Sequence, residues 1–232
     1  MSFFMKLLFY RAYHMVPTFV VGVLACASFV YAEEEAHVDA YIWAENGQLR
    51  TASWVYETNT IVDSSARVFG ADFGEDSAFP FGTEDPGVGS NLLGSTVNFN
   101  INTGLSSWNG TEFVSFSDAS ITFEFGGASG NTTTGGGFSF LVNSGLHLHA
   151  ATFIDGVSGA DPTNGIYLVS LNATSSQYAA SDTFWFVFNL GESEEDHDAA
   201  MDWVNTNLVP GPAGMLAFLG GISMGSRRRR RN

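Results

Sequence analysis

Residues 183–190 read TFWFVFNL, and the fold turns on how that run is placed. In an extended chain, Phe184, Phe186 and Phe188 point to one side and Trp185 and Val187 to the other. Both sides are apolar, which predicts a central strand covered on each face. Upstream, residues 120–125 (SITFEF) set Ile121, Phe123 and Phe125 against Ser120, Thr122 and Glu124, the alternation of a half-buried strand. Further strand-like runs span residues 37–43, 48–56, 67–73, 96–101, 112–116, 138–142, 146–153 and 165–173, with turn residues between them. Asn46-Gly47 separates the first two, a strong hairpin signal. The Gly-rich stretch 127–137 (GASGNTTTGGG) reads as a flexible loop. The pattern predicts an all-β domain over residues 33–208: an antiparallel β-sandwich of jelly-roll or immunoglobulin-like form.

One helix closes the domain. In residues 191–208 (GESEEDHDAAMDWVNTNL), Ser193 precedes three acids, a helix-start signal with negative charge in the first turn. Ala199, Ala200, Trp203, Val204 and Leu208 fall on one side, so the helix is amphipathic and should pack on the sandwich. His197, among carboxylates, reads as an exposed imidazole whose charged form is favoured. It is a further candidate, as a fourth ligand to the histidine cluster below.

Charge separates the domain from its ends. All 24 Asp and Glu lie between Glu33 and Leu208, with only Arg50 and Arg67 against them, a formal −22 for that segment. Such a body repels phosphate, which excludes nucleic acid as a partner. The single cysteine, Cys26, precedes the domain, leaving it without disulfide, thiolate nucleophile or Cys metal ligand.

Lys6 and Arg11 precede an apolar run from Met15 to Val30, followed by Val30-Tyr31-Ala32 and three glutamates. Residues 1–32 therefore read as a signal peptide cut by signal peptidase after Ala32. Val23-Leu24-Ala25-Cys26 offers a lipoprotein alternative, and a single transmembrane anchor is disfavoured by the length of the run. At the other end, residues 209–232 comprise Val209-Pro210-Gly211-Pro212, an apolar stretch from Ala213 to Met224, and Arg227 to Arg231. Arginines behind an apolar segment hold that end on the cytoplasmic side.

His147 and His149 stand two apart in GLHLHATF, which on a strand puts both imidazoles on one face. His37 and Asp39 share that alternation. If their strand lies beside that of His147, the three imidazoles make a metal site with Asp39 as fourth ligand or orienting partner. The plainer reading is two solvent-facing histidines. Asp72, Glu75, Asp76, Glu84 and Asp85 form an acidic stretch suited to calcium but lacking a calcium-loop pattern, and it reads first as a solvated surface. No nucleophile elbow, His-Glu-x-x-His or phosphate loop is present. The chain reads as non-enzymatic. Asn109, Asn131 and Asn172 would be sequons only in a eukaryote.

The tail resembles the PEP-CTERM sorting signal of bacteria, with Gly211 where the usual motif has Glu. The resemblance implies an exosortase-type membrane protease as a processing partner, with transient membrane anchoring and then release or transfer at the cell surface. Residues 37–39 (His-Val-Asp), His147-Leu148-His149, Phe153, Gly165-Ile166-Tyr167 and Phe184 to Phe188 resemble the choice-of-anchor M and zinc-repressed PEP-CTERM surface proteins. That resemblance implies metal handling without an activity. The expectation is a secreted, surface- or matrix-associated protein binding zinc or another divalent metal through His37, His147, His149 and Asp39. The alternative is a structural or carbohydrate-associated matrix component without metal, facing exopolysaccharide or the cell envelope.

Overall fold

The computed structural model describes residues 38–210. The signal-peptide reading, His37 and all of the tail beyond Pro210 lie outside the described residues.

Two sheets make an all-β sandwich with one helix. The smaller has the order β13 (Leu146–Leu148), β6 (Val88–Ser90), β1 (Val38–Glu45), β2 (Gln48–Val55), β3 (Thr60–Asp63). The larger, of eleven strands, runs β4 (Val68–Asp72), β16 (Phe184–Leu190), β15 (Gly165–Thr174), β7 (Thr96–Ile101), β12 (Gly135–Leu141), β11 (Ala128–Asn131), β10 (Ala119–Phe125), β14 (Ala151–Gly156), β5 (Gly82–Thr83). Off that path, β8 (Leu105–Trp108) pairs with β15 and with β9 (Phe113–Phe116). Pairing is antiparallel except for β1 with β6 and β4 with β16, so the sandwich is mixed.

Strand β16 is buried along its whole length. Phe184, Phe186 and Phe188 enter the core between the sheets, with Phe69, Phe99, Phe123 and Ile42. Trp185 and Val187 face the other way, under Ala200 and Val204 of helix α1 (Glu194–Asn207). The doubly apolar run thus separates two hydrophobic layers, and the helix supplies the cover of the second. Strand β10 keeps its alternation, with Ile121 and Phe123 buried and Glu124 exposed.

The β1–β2 hairpin turns at Asn46-Gly47, both at positive φ (50° and 79°), the geometry that favours this dipeptide. Ser193 caps α1 by accepting the Asp196 N–H at 3.2 Å.

Two expectations change. The Gly-rich stretch 127–137 is not a loop but mostly hairpin, β11 with the start of β12. Its glycines permit close strand contact: a Cβ at Gly130 would lie 2.5 Å from Ile101 Cδ1. The run 146–153 is not one strand either. Leu148 pairs with Val88 in the smaller sheet, whereas Thr152 pairs with Thr83 in the larger. The chain crosses between sheets at His149 and Ala150.

Candidate metal centre

Three of the singled-out residues meet on the outer face of the smaller sheet. Asp39 comes from β1, His147 from β13, and His149 from the crossover just past β13. The strand of His147 does not adjoin β1; β6 runs between them. In register, His147 lies opposite Gly89, which lies opposite Tyr41, two residues beyond Asp39 on the same face. Gly89 makes the reach possible. The Trp54 ring fills the space that a Cβ there would need.

His147 Nε2 lies 2.8 Å from Asp39 Oδ2 and 3.1 Å from His149 Nε2. Asp39 is fully buried at 0% exposure, and its Oδ1 accepts the Gly87 N–H at 2.7 Å. Gly87 must stay small as well, because a Cβ there would lie 2.6 Å from Asp39 Oδ1 and 2.8 Å from His149 Cε1. The His147 ring stacks on Tyr56 at 3.9 Å between centroids and meets the edge of Trp54 at 5.6 Å.

The protons follow from the partners. His149 Nδ1 faces two acceptors, the Glu84 carbonyl at 2.9 Å and Asp85 Oδ1 at 3.3 Å. It therefore carries a proton, and the neutral ring turns the lone pair of Nε2 toward His147. The hydrogen bond to Asp85 raises the His149 pKa above 6.5, against the opposing effect of burial. One proton on His147 Nε2 would then have to serve both Asp39 and His149. A metal ion in its place would meet one carboxylate oxygen and two imidazole nitrogens once the 2.8 and 3.1 Å separations open slightly, to the roughly 3.3 Å that bonds of about 2.0–2.2 Å need. The outer partners are those expected around such ligands: His149 held by Glu84 and Asp85, Asp39 held by Gly87.

Burial sharpens the point. A carboxylate at 0% exposure needs a positive partner. The two arginines of the described residues are engaged elsewhere: Arg50 Nη1 sits 3.0 Å from Asp182 Oδ2, and Arg67 Nε donates to the Thr183 carbonyl at 2.7 Å. His147, as imidazolium or as a ligand to a bound cation, serves Asp39 from its side.

His149 also opens onto a cleft of about 530 Å³ that Phe79 and Phe153 line together with Glu75, Asp76, Glu84 and Asp85. The acidic stretch is therefore split. Asp72 is not part of that lining and instead stands near Glu194 and His197.

His197 corrects an expectation. It is not exposed among carboxylates but 3% exposed, on the face of α1 that carries Ala200 and Val204. Ala199, expected on the packed side, is exposed. The spacing 197, 200, 204 was a legible helical stripe, but a histidine among acids outweighed it. Gly87, Gly89 and the Glu84 carbonyl were not legible, since nothing local ties residues 84–89 to Asp39 or His147.

No protein-family model matches the chain, and no curated protein matches it in sequence.

Proposed function

We propose that the chain is an exported, surface- or matrix-associated protein without enzymatic activity, and that it binds a divalent metal such as zinc through Asp39, His147 and His149. His37, two residues before Asp39 in sequence, is the proposed fourth ligand. The observation that carries the reading is the convergence of Asp39 Oδ2, His147 Nε2 and His149 Nε2, at 2.8 and 3.1 Å, around a buried acid. Two nitrogens and one oxygen form a zinc-type donor set, softer than calcium prefers.

The test is metal content and zinc titration on the chain purified without chelator or affinity histidines. Zinc should be retained, and His147→Gln should weaken its binding on the order of a hundredfold, the upper end of the 10–100-fold that even outer partners carry. Metal-free protein with no zinc uptake, or uptake indifferent to His147→Gln, overturns the reading.

A second reading has an observation of its own. Tyr41, Trp54 and Tyr56 line a groove of about 390 Å³ with Asn59 and Asn91, a combination of aromatic faces and amides suited to a sugar. Tyr56 stacks on His147, so the two readings share a wall. Glycan binding that survives His147→Gln with zinc absent would favour the carbohydrate-associated matrix component.

A further inference from the structure

A second group of ligand-type side chains lies where α1 meets the edge strand β4. Asp72 is the last residue of β4, Glu194 the first of α1, and His197 stands three residues further on, on the same side of the helix. One ligand atom from each lies within 4.8 Å of the others. The Ser193 cap fixes the start of the helix and so the direction in which Glu194 and His197 project.

The imidazole carries the argument. His197 Nε2 lies 3.0 Å from the Val187 carbonyl of β16, an acceptor, so that nitrogen bears the proton. In the neutral ring Nδ1 then presents a lone pair. Nδ1 is buried and has no hydrogen-bond partner among the described residues. It faces Glu194 Oε1 at 4.0 Å, too long for a hydrogen bond. A buried nitrogen left without a partner is costly, and native structures rarely keep one without a reason. A ring held from behind through Nε2–H to a main-chain carbonyl, with its other nitrogen free, has the arrangement of a metal-ligating histidine. Gly70 keeps the space for it: a Cβ there would lie 2.7 Å from Met201 Sδ and 3.1 Å from His197 Cε1.

We infer that Asp72, Glu194 and His197 form a second divalent-metal site, of zinc type, with His197 binding through Nδ1. Two carboxylates offset the charge of a dication, and the imidazole selects against calcium and magnesium. Bonds of about 2.0–2.2 Å require the donors to close to roughly 3.3 Å from one another. Glu194, with its side chain 70% exposed, is free to swing inward. A bound ion would tie the first turn of α1 to the end of β4, over the second hydrophobic layer. The site shares no residue with the Asp39 centre, and either can fail alone.

The experiment uses the full chain carrying His147→Gln and His149→Gln, titrated with zinc alone. Calorimetry should find one equivalent bound. Imidazole nitrogen NMR should show His197 Nδ1 shifted by the metal while Nε2 keeps its proton. Adding Asp72→Asn and Glu194→Gln, which spare the helix core, should weaken that binding at least about tenfold. Should the His147/His149 variant not fold, the same two substitutions in the unaltered chain should lower the bound zinc by one equivalent and abolish the His197 shift. No zinc-dependent change at His197 Nδ1, or a protonated Nδ1 indifferent to zinc, reduces the group to an ion pair and overturns the inference.

Discussion

The two histidine–carboxylate groups are inverted copies of one another. At the Asp39 centre the acid is buried, 0% exposed, and the imidazoles above it are partly open, with side-chain exposures of 17% and 26%. At the Asp72 group the imidazole is buried and an acid stands in solvent. The difference decides what each costs the fold without metal. A buried carboxylate demands a positive charge and is expensive in its absence. A buried imidazole asks for hydrogen bonds, and among the described residues His197 has one of its two. The buried His197 therefore belongs to the architecture, while the exposed Glu194 can be exchanged with little structural consequence.

Exchanging those members one at a time tests the contrast. The largest expected effect is at His197. Replacing it by Ala removes a packed ring and its hydrogen bond to the Val187 carbonyl, at about 3 kcal/mol, whereas Glu194→Gln should stay within about 0.5 kcal/mol. Urea denaturation in EDTA measures both, and equal values would break the inversion. Next is Asp39→Asn. It removes the carboxylate charge that a bound dication would meet, so it should lose the stabilisation that zinc gives the parent. A variant that zinc stabilises as much as the parent would mean that Asp39 does not hold the metal.

The smallest effect is a pH dependence. The Asp85 carboxylate raises the His149 pKa in the folded state. That interaction contributes stability fully present below the unfolded value of about 6.5 and lost as pH rises through the higher folded value. In EDTA, the melting-temperature gap between the parent and Asp85→Asn should therefore be widest near pH 6 and close toward about pH 9. Zinc binding should run the other way, weakening as the imidazoles take up protons. A gap that widens with pH would mean that Asp85 does not hold the imidazolium.

Sequence periodicity reached the strands because each was judged against its own neighbours. Strand β10, the β1–β2 hairpin and the capped helix were legible, since alternation, Asn-Gly and Ser193 are local signals. Strand β3, exposed and four residues long, and β6, in a Gly-rich run, carry too little pattern to be seen. The glycines of 128–137 read as a loop because their packing partners, Ile101 and Phe99, are far away in sequence.

The sequence by itself determined an acidic, all-β chain with one helix, with a doubly apolar strand at its centre, because burial on both faces leaves no room for polar residues in 184–188. It also placed His147 and His149 within reach of one another. Tertiary structure alone decided which acids they meet. Gly87 and Gly89, side-chain-free positions of β6 and its approach, let Asp39 and the imidazoles close across an intervening strand. The packing of α1 on β16 turned a histidine in an acidic helix into a buried ligand-type nitrogen. The first depends on residues 108 positions apart, Asp39 and His147, and the second on a helix folding back over the strand before it; strand and helix periodicity encodes neither contact.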